Sequence, residues 1–235
     1  MYKMYASFDQ YHTTLQRPFR EHFTEPHVIA NLIIYNENVA HERAKKDILD
    51  SYLRSVPNLV YYFVAYRTQE QDMIVEDHMI YVKGTEGFIP GILDKTMVGL
   101  RYINTTHEYS YLVRSNISTV LCWDRFPWKE LKGHSYASTN VLRFIPDLPF
   151  AQGTNIILTR DAVEFLVENK DALDTKIIDD VALAKLLLTR YPLYELHDRI
   201  RINQSDLDEG WVYRNVTDAD RDLDTERMKR LIMAL

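Results

Sequence analysis

Two almost unbroken apolar runs, Val28–Tyr35 and Leu59–Tyr66, constrain this chain more than any other feature in it. A strand with one wet face alternates apolar and polar residues. A run apolar at nearly every position fits a strand covered on both faces, the usual state of a central parallel strand. Between the two runs, His41–Arg54 sets Ala44, Ile48, Leu49, Tyr52 and Leu53 at helical spacing, and Pro57-Asn58 stops it. Strand, helix and buried strand in succession predict a parallel sheet joined by right-handed crossovers.

The pattern continues with a third strand at Ile74–Val82, then a loop punctuated by Gly84, Gly87, Pro90 and Gly91. A helix over Ile92–Ile103 follows, with Leu93, Met97, Leu100 and Tyr102 or Ile103 facing inward, and a fourth strand over Tyr109–Arg114. The second half is less regular. Strands are predicted at Ser138–Ile145, Gly153–Thr159 and Glu195–Asn203, and helices at Thr159–Asn169, Asp179–Thr189 and Asp222–Leu235. The reading is a mixed α/β fold with a largely parallel sheet flanked by helices. An extension over residues 1–27 precedes a single domain over 28–235, whose halves, 28–120 and 121–235, share one continuous sheet.

Composition narrows the function classes. A net charge of −6 disfavours nonspecific nucleic-acid binding, which needs a cationic footprint. The single cysteine, Cys122, permits no intrachain disulfide and is read as a small buried hydrophobe. No stretch reaches the ~20 apolar residues of a membrane span, and Met1–Arg20 has no apolar signal core, so a cytoplasmic setting is expected. The histidines, among them His78, His107, His134 and His197, lack metal-ligand spacing. GxGxxG, Walker A and GxSxG patterns are absent. Asp218–Asp224 lacks the glycine of a calcium loop and is read as a helix start with solvated charges.

Open α/β sheets bind ligands at the carboxyl ends of their strands. Four places qualify: Tyr35-Asn36-Glu37 with Arg43, the loop Gly84–Lys95, Arg114–Ser118, and Asp179-Asp180. At the third, Asn116 and Ser118 either cap a turn or line a pocket where Arg114 forks onto an anion. At the fourth, the paired carboxylates either favour a helix N-terminus or supply a base beside an apolar patch. The 16 tyrosines are sheet and interface residues, or some of them stack on a base or a sugar ring.

Phe88-Ile89-Pro90-Gly91-Ile92-Leu93-Asp94-Lys95-Thr96 and Tyr111–Ser118 resemble the "PGILDKT … YLVRTNLSS" signature of small glycosyltransferases encoded by large DNA viruses and some microbes. Pro149–Asp161 resembles their "GxGYxLSRD" stretch and Ile178–Leu183 their "EDV.IG" stretch, with a more distant echo of fringe and β1,3-galactosyltransferases. The resemblance spans about residues 28–230 in consistent order. It implies a GT-A fold, a nucleotide-diphosphate sugar donor (a UDP-sugar first), a glycan or glycoprotein acceptor, and inversion at the anomeric carbon. Such enzymes usually hold manganese or magnesium on an Asp-x-Asp strand end. Here Arg114-Ser115-Asn116 stands in its place, and Gly210–Arg214 supplies no histidine. Lys95 or Arg114, with Arg214 and Arg221 as further candidates, would then neutralise the diphosphate. Asp180, ahead of Asp179, would be the base, and Gly153-Thr154-Asn155 would border the acceptor. A silent sugar- or nucleotide-binding module on the same fold is the alternative. A nucleotidyltransferase is a weaker one, because the first strand runs into Tyr35-Asn36-Glu37 without glycine.

Overall fold

Residues 28–217 and 220–235 are described by the computed structural model; the expected extension over 1–27 lies outside them. The first apolar run becomes β1 (Ile29–Ile34), buried at every position. The second becomes β2 (Leu59–Arg67), parallel to β1, with α1 (Ala40–Leu53) crossing between them. Beyond β2 lie β3 (Met73–Glu76) and β4 (Met79–Lys83). Helix α2 (Gly91–Thr106) then returns across β1 to β5 (Tyr111–Asn116), parallel to β1 on its other side.

The second half adds β6 (Thr119–Leu121), the short helix α3 (Trp128–Leu131), β7 (Tyr136–Ser138), β8 (Val141–Leu142), β9 (Phe150–Ala151) and β10 (Ile156–Thr159). Helices α4 (Arg160–Glu168) and α5 (Asp179–Leu187), strands β11 (Leu193–Glu195), β12 (Arg201–Ile202) and β13 (Val212–Arg214), and helix α6 (Arg221–Met233) complete it. The main sheet has eight strands in the order β11-β7-β10-β5-β1-β2-β4-β3 and so draws on both halves of the chain. Strand β10 runs antiparallel to β5 and β7. A three-stranded sheet, β12-β13-β6, and the β8-β9 pair are separate.

Alternation along the central strands sorts the core into two layers. Ala30, Leu32, Ile34 and Leu112 face one layer, with α2, α4 and α5. Ile29, Ile33, Tyr111 and Val113 face the other, with α1, α6 and the small sheet. Gly99 lets α2 lie directly on β1, since a Cβ there would stand 2.5 Å from Leu32 Cδ1. Among the described residues no helix is long and apolar enough to cross a membrane.

Several expected elements are divided. The strand at Ile74–Val82 is the antiparallel hairpin β3–β4, turned at Asp77 in the left-handed region (φ 52°), which Asp tolerates. Ser138–Ile145 is split between β7 in the main sheet and β8 outside it, and Glu195–Asn203 between β11 and β12. Residues 153–155 form a turn rather than the start of β10. On α1 the predicted Leu49 and Leu53 are buried and Ile48 and Tyr52 pack partly buried beside them, but Lys45 rather than Ala44 completes the inward face, and Ala44 is exposed. Asp224 is wholly buried rather than solvated, on the inner face of α6 with Met228 and Leu231.

Leu32, fully buried between β2 and β5 and under Gly99, is a sensitive position. Replacing it with Ala should cost about 2–5 kcal/mol, read from the midpoint of urea unfolding.

Candidate functional site

The chain order reverses at β1: β2 lies to one side of it and β5 to the other. Helices α1 and α2 leave on opposite faces, so a crevice opens at the carboxyl ends of β1 and β5, the switch point where doubly wound sheets bind ligands. A cavity of about 660 Å³ lies there, within the range for small-molecule sites. Its walls come from the β1 end (Tyr35, Asn36), α1 (His41, Glu42, Lys45), the loop into α2 (Glu86, Phe88, Lys95) and the β5 end (Arg114, Asn116, Ser118). The turn before β10 (Gln152, Gly153), the start of α5 (Asp179, Asp180), and Arg214 and Arg221 complete them.

The two carboxylates of α5 have different surroundings. Asp179 is 6% exposed and ion-paired with Arg114, itself 3% exposed. Arg114 Nη1 also donates to the Gly153 carbonyl at 2.6 Å. Burial pushes the Asp179 carboxyl up to about 7; the Arg114 guanidinium opposes that shift and neighbouring Asp180 reinforces it. Asp180 is only half-buried, and its Oδ2 accepts from the Gly153 N–H at 2.8 Å. Neither residue supplies the N-cap of α5, where Ile178 stands without a side-chain cap. Gly153 therefore holds both the base of the Arg114 side chain's pocket and one oxygen of Asp180. A Cβ on it would fall 2.0 Å from Arg114 Nη1. The small residue is required by the guanidinium, and Gly153 also lines the cavity. Thr154 and Asn155 are fully buried, Asn155 tying to Ser138 and Thr139.

Other expected residues reach the cavity in altered roles. Lys95, 2% exposed, donates to Glu86 Oε2 at 2.6 Å and the Tyr35 carbonyl at 2.9 Å. Burial lowers its pKa, and Glu86 works against that. The positive charge of Lys95 is thus matched within the chain, as is that of Arg114. Tyr35 packs its ring edge-on to Phe63 with its hydroxyl toward Met79, so it offers no stacking face. Asn116 Oδ1 accepts from Ser118 N, Ser118 Oγ and Thr119 Oγ1 at 2.7–3.2 Å, organising the turn between β5 and β6. Arg43 is the expected residue that does not line the cavity: it is exposed and donates to the Glu37 carbonyl at 2.6 Å.

Arg214 reaches across from β13 to donate to Gln152 Oε1 at 3.0 Å. Burial lowers its pKa and Asp180 raises it. The sequence reading missed Lys45, Glu42, Glu86, His41 and Gln152. Lys45 carried a signal, since it precedes Leu49 and Leu53 by four and eight residues on one helix face.

The residues present do not fit a divalent cation. Asn116, at the end of β5, has its side-chain oxygen taken by three donors from within the chain. Glu86 is bound to Lys95, Asp179 to Arg114, and Glu42 Oε2 to the Asn36 N–H at 2.6 Å. Among the described residues no three of His, Cys, Asp and Glu gather as a ligand set.

No family model matches the sequence, and no curated protein matches it. Among solved structures the chain is similar to a glycosyltransferase involved in the glycosylation of the major capsid of PBCV-1. That pair is 12% identical over 86% of this chain and 99% of the other, with a TM-score of 0.48. It is also similar to an active-site mutant of LgtC (10% identity, 87% and 95% of the chains, TM-score 0.49). A third is the galactosyltransferase LgtC in complex with donor and acceptor sugar analogues (9% identity, 88% and 96%, TM-score 0.42).

Two outcomes follow from this geometry. Gly153→Ala should displace the Arg114 guanidinium and cost about 1–3 kcal/mol, measured by thermal unfolding. For Asp179, the folded protein holds its proton up to about pH 7, against about 3.9 when unfolded. Stability contributed by this group is therefore present at low pH and lost as pH rises through about 7. Wild type should lose stability relative to Asp179→Asn over that interval, compared by urea unfolding at successive pH values.

Proposed function

We propose that this chain is a glycosyltransferase of the GT-A type, moving a sugar from a nucleotide-diphosphate sugar, a UDP-sugar first, onto a glycan or glycoprotein hydroxyl with inversion. The observation that carries this reading is one cavity, at the switch point of the sheet, that Asp180 shares with Arg214, Lys45 and Arg221. The ordered motifs at Phe88–Thr96, Tyr111–Ser118, Pro149–Asp161 and Ile178–Leu183 support it independently. A cytoplasmic setting accords with a chain whose single cysteine allows no internal disulfide.

In this reading the reaction is a single displacement. The acceptor O–H gives its proton to an Asp180 carboxylate oxygen as the acceptor oxygen bonds to the anomeric carbon. The bond from that carbon to the donor diphosphate breaks, its electron pair leaving with the diphosphate. The Gly153 N–H fixes the Asp180 carboxylate, and its remaining oxygen is the one to face the acceptor. Asp179 is a positioning residue: through Arg114 it fixes the Gly153 turn. Phe88, on the wall and 67% exposed, provides an apolar face for a base or sugar ring.

A general base contributes about 10²–10⁴ in rate. Asp180→Asn should lower transfer by about that factor with donor affinity nearly unchanged, read by product formation beside calorimetry of donor binding. Full activity in this variant removes Asp180 from the chemistry. Wild-type donor binding with no turnover on any acceptor favours the silent module, the reading to which the missing strand-end carboxylates lend weight.

A further inference from the structure

We propose, resting on the glycosyl-transfer reading, that the donor diphosphate is held and neutralised by a cradle of Lys45, Arg214 and Arg221, without a divalent cation. The strand end where the resemblance places a metal has no free carboxylate, and the cations first expected to face the phosphates are matched by Glu86 and Asp179. The cationic side of the cavity is lined by Lys45, Arg214 and Arg221.

Its centre is Asp224, 0% exposed on α6. Three cations surround this one carboxylate: Lys45 Nζ at 3.8 Å, Arg221 Nη1 at 3.6 Å and Arg227 Nη1 at 4.0 Å. The Thr217 N–H donates to it as well, at 2.8 Å. Lys45 and Arg221 from this cluster line the cavity. Lys45 is 2% exposed, and among the described residues its ammonium makes one hydrogen bond, 3.3 Å to the Asn215 carbonyl. Burial lowers its pKa, so a bound anion would relieve a desolvated charge. Arg214 adds a buried Nε with no partner among the described residues.

A diphosphate suits this set. Its oxygens match the forked donors of arginine, and lysine serves as a point charge. When the bond to the sugar breaks, the leaving group gains a further negative charge, and fixed cations in a water-poor pocket stabilise that charge most.

The test is calorimetry on the full chain with inorganic pyrophosphate and with UDP, in EDTA and in manganese, beside a transfer assay. The cradle predicts equal affinity in EDTA and manganese. It also predicts losses of about tenfold or more in Lys45→Met and in Arg214→Gln, with Arg43→Gln, outside the cavity, unchanged. Melting temperatures confirm that each variant folds; should Lys45→Met not fold, Arg214→Gln decides the matter. Binding that requires manganese, or that is indifferent to both substitutions, overturns the cradle, and transfer that persists in that case leaves the glycosyltransferase reading standing. Metal-free binding that depends on Lys45 and Arg214, with no transfer from any donor, supports the cradle and removes that reading.

Discussion

The Arg114–Asp179 ion pair joins segments that the main sheet alone leaves apart: the end of β5, the turn before β10 and the first turn of α5. The buried guanidinium and the buried carboxyl hold each other in place. Removing one partner of such a pair costs about 3–5 kcal/mol through the charge left behind. Gly153 is the third member, since the guanidinium occupies the volume that any Cβ would fill. With that wedge in place, the Gly153 N–H is directed at Asp180, and the second carboxylate of the pair is set at the cavity wall.

The cavity itself follows from topology. Helices α1 and α2 depart from β1 and β4 to opposite faces, and the carboxyl ends of β1 and β5 open into the cavity. Polar residues from at least seven segments converge on that opening. Most of the resulting charges cancel in pairs, Lys95 with Glu86 and Arg114 with Asp179. Lys45 and Arg221, gathered around the buried Asp224, bring further cations to the same cavity.

Strand β1, strand β2, α1, α2 and α5 were legible because their apolar spacing is local and long enough to be unambiguous. Strands β6 and β13 were not. Each is three residues long, and partners distant in the chain give them their ladder. The hairpin at Asp77-His78 read as one strand because a two-residue turn hardly interrupts the alternation. Among the cavity-lining residues, Asp179, Asp180, Arg114 and Lys95 stand where strands end or helices begin, which is what drew attention to them in the sequence. Lys45 was passed over because a lysine within a helix ordinarily faces water.

By itself the sequence determined the α/β class, the buried parallel centre and the places where polar residues leave apolar strands, since each depends on residues near one another in the chain. Which charge meets which was decided by the tertiary structure. Arg114 and Asp179 stand 65 residues apart, and Lys45 lies 170 from the carbonyl it binds. Ion pairing falls off over a few ångströms and carries no periodic trace in the sequence. Only the folded chain therefore shows which cations are consumed in holding the site together.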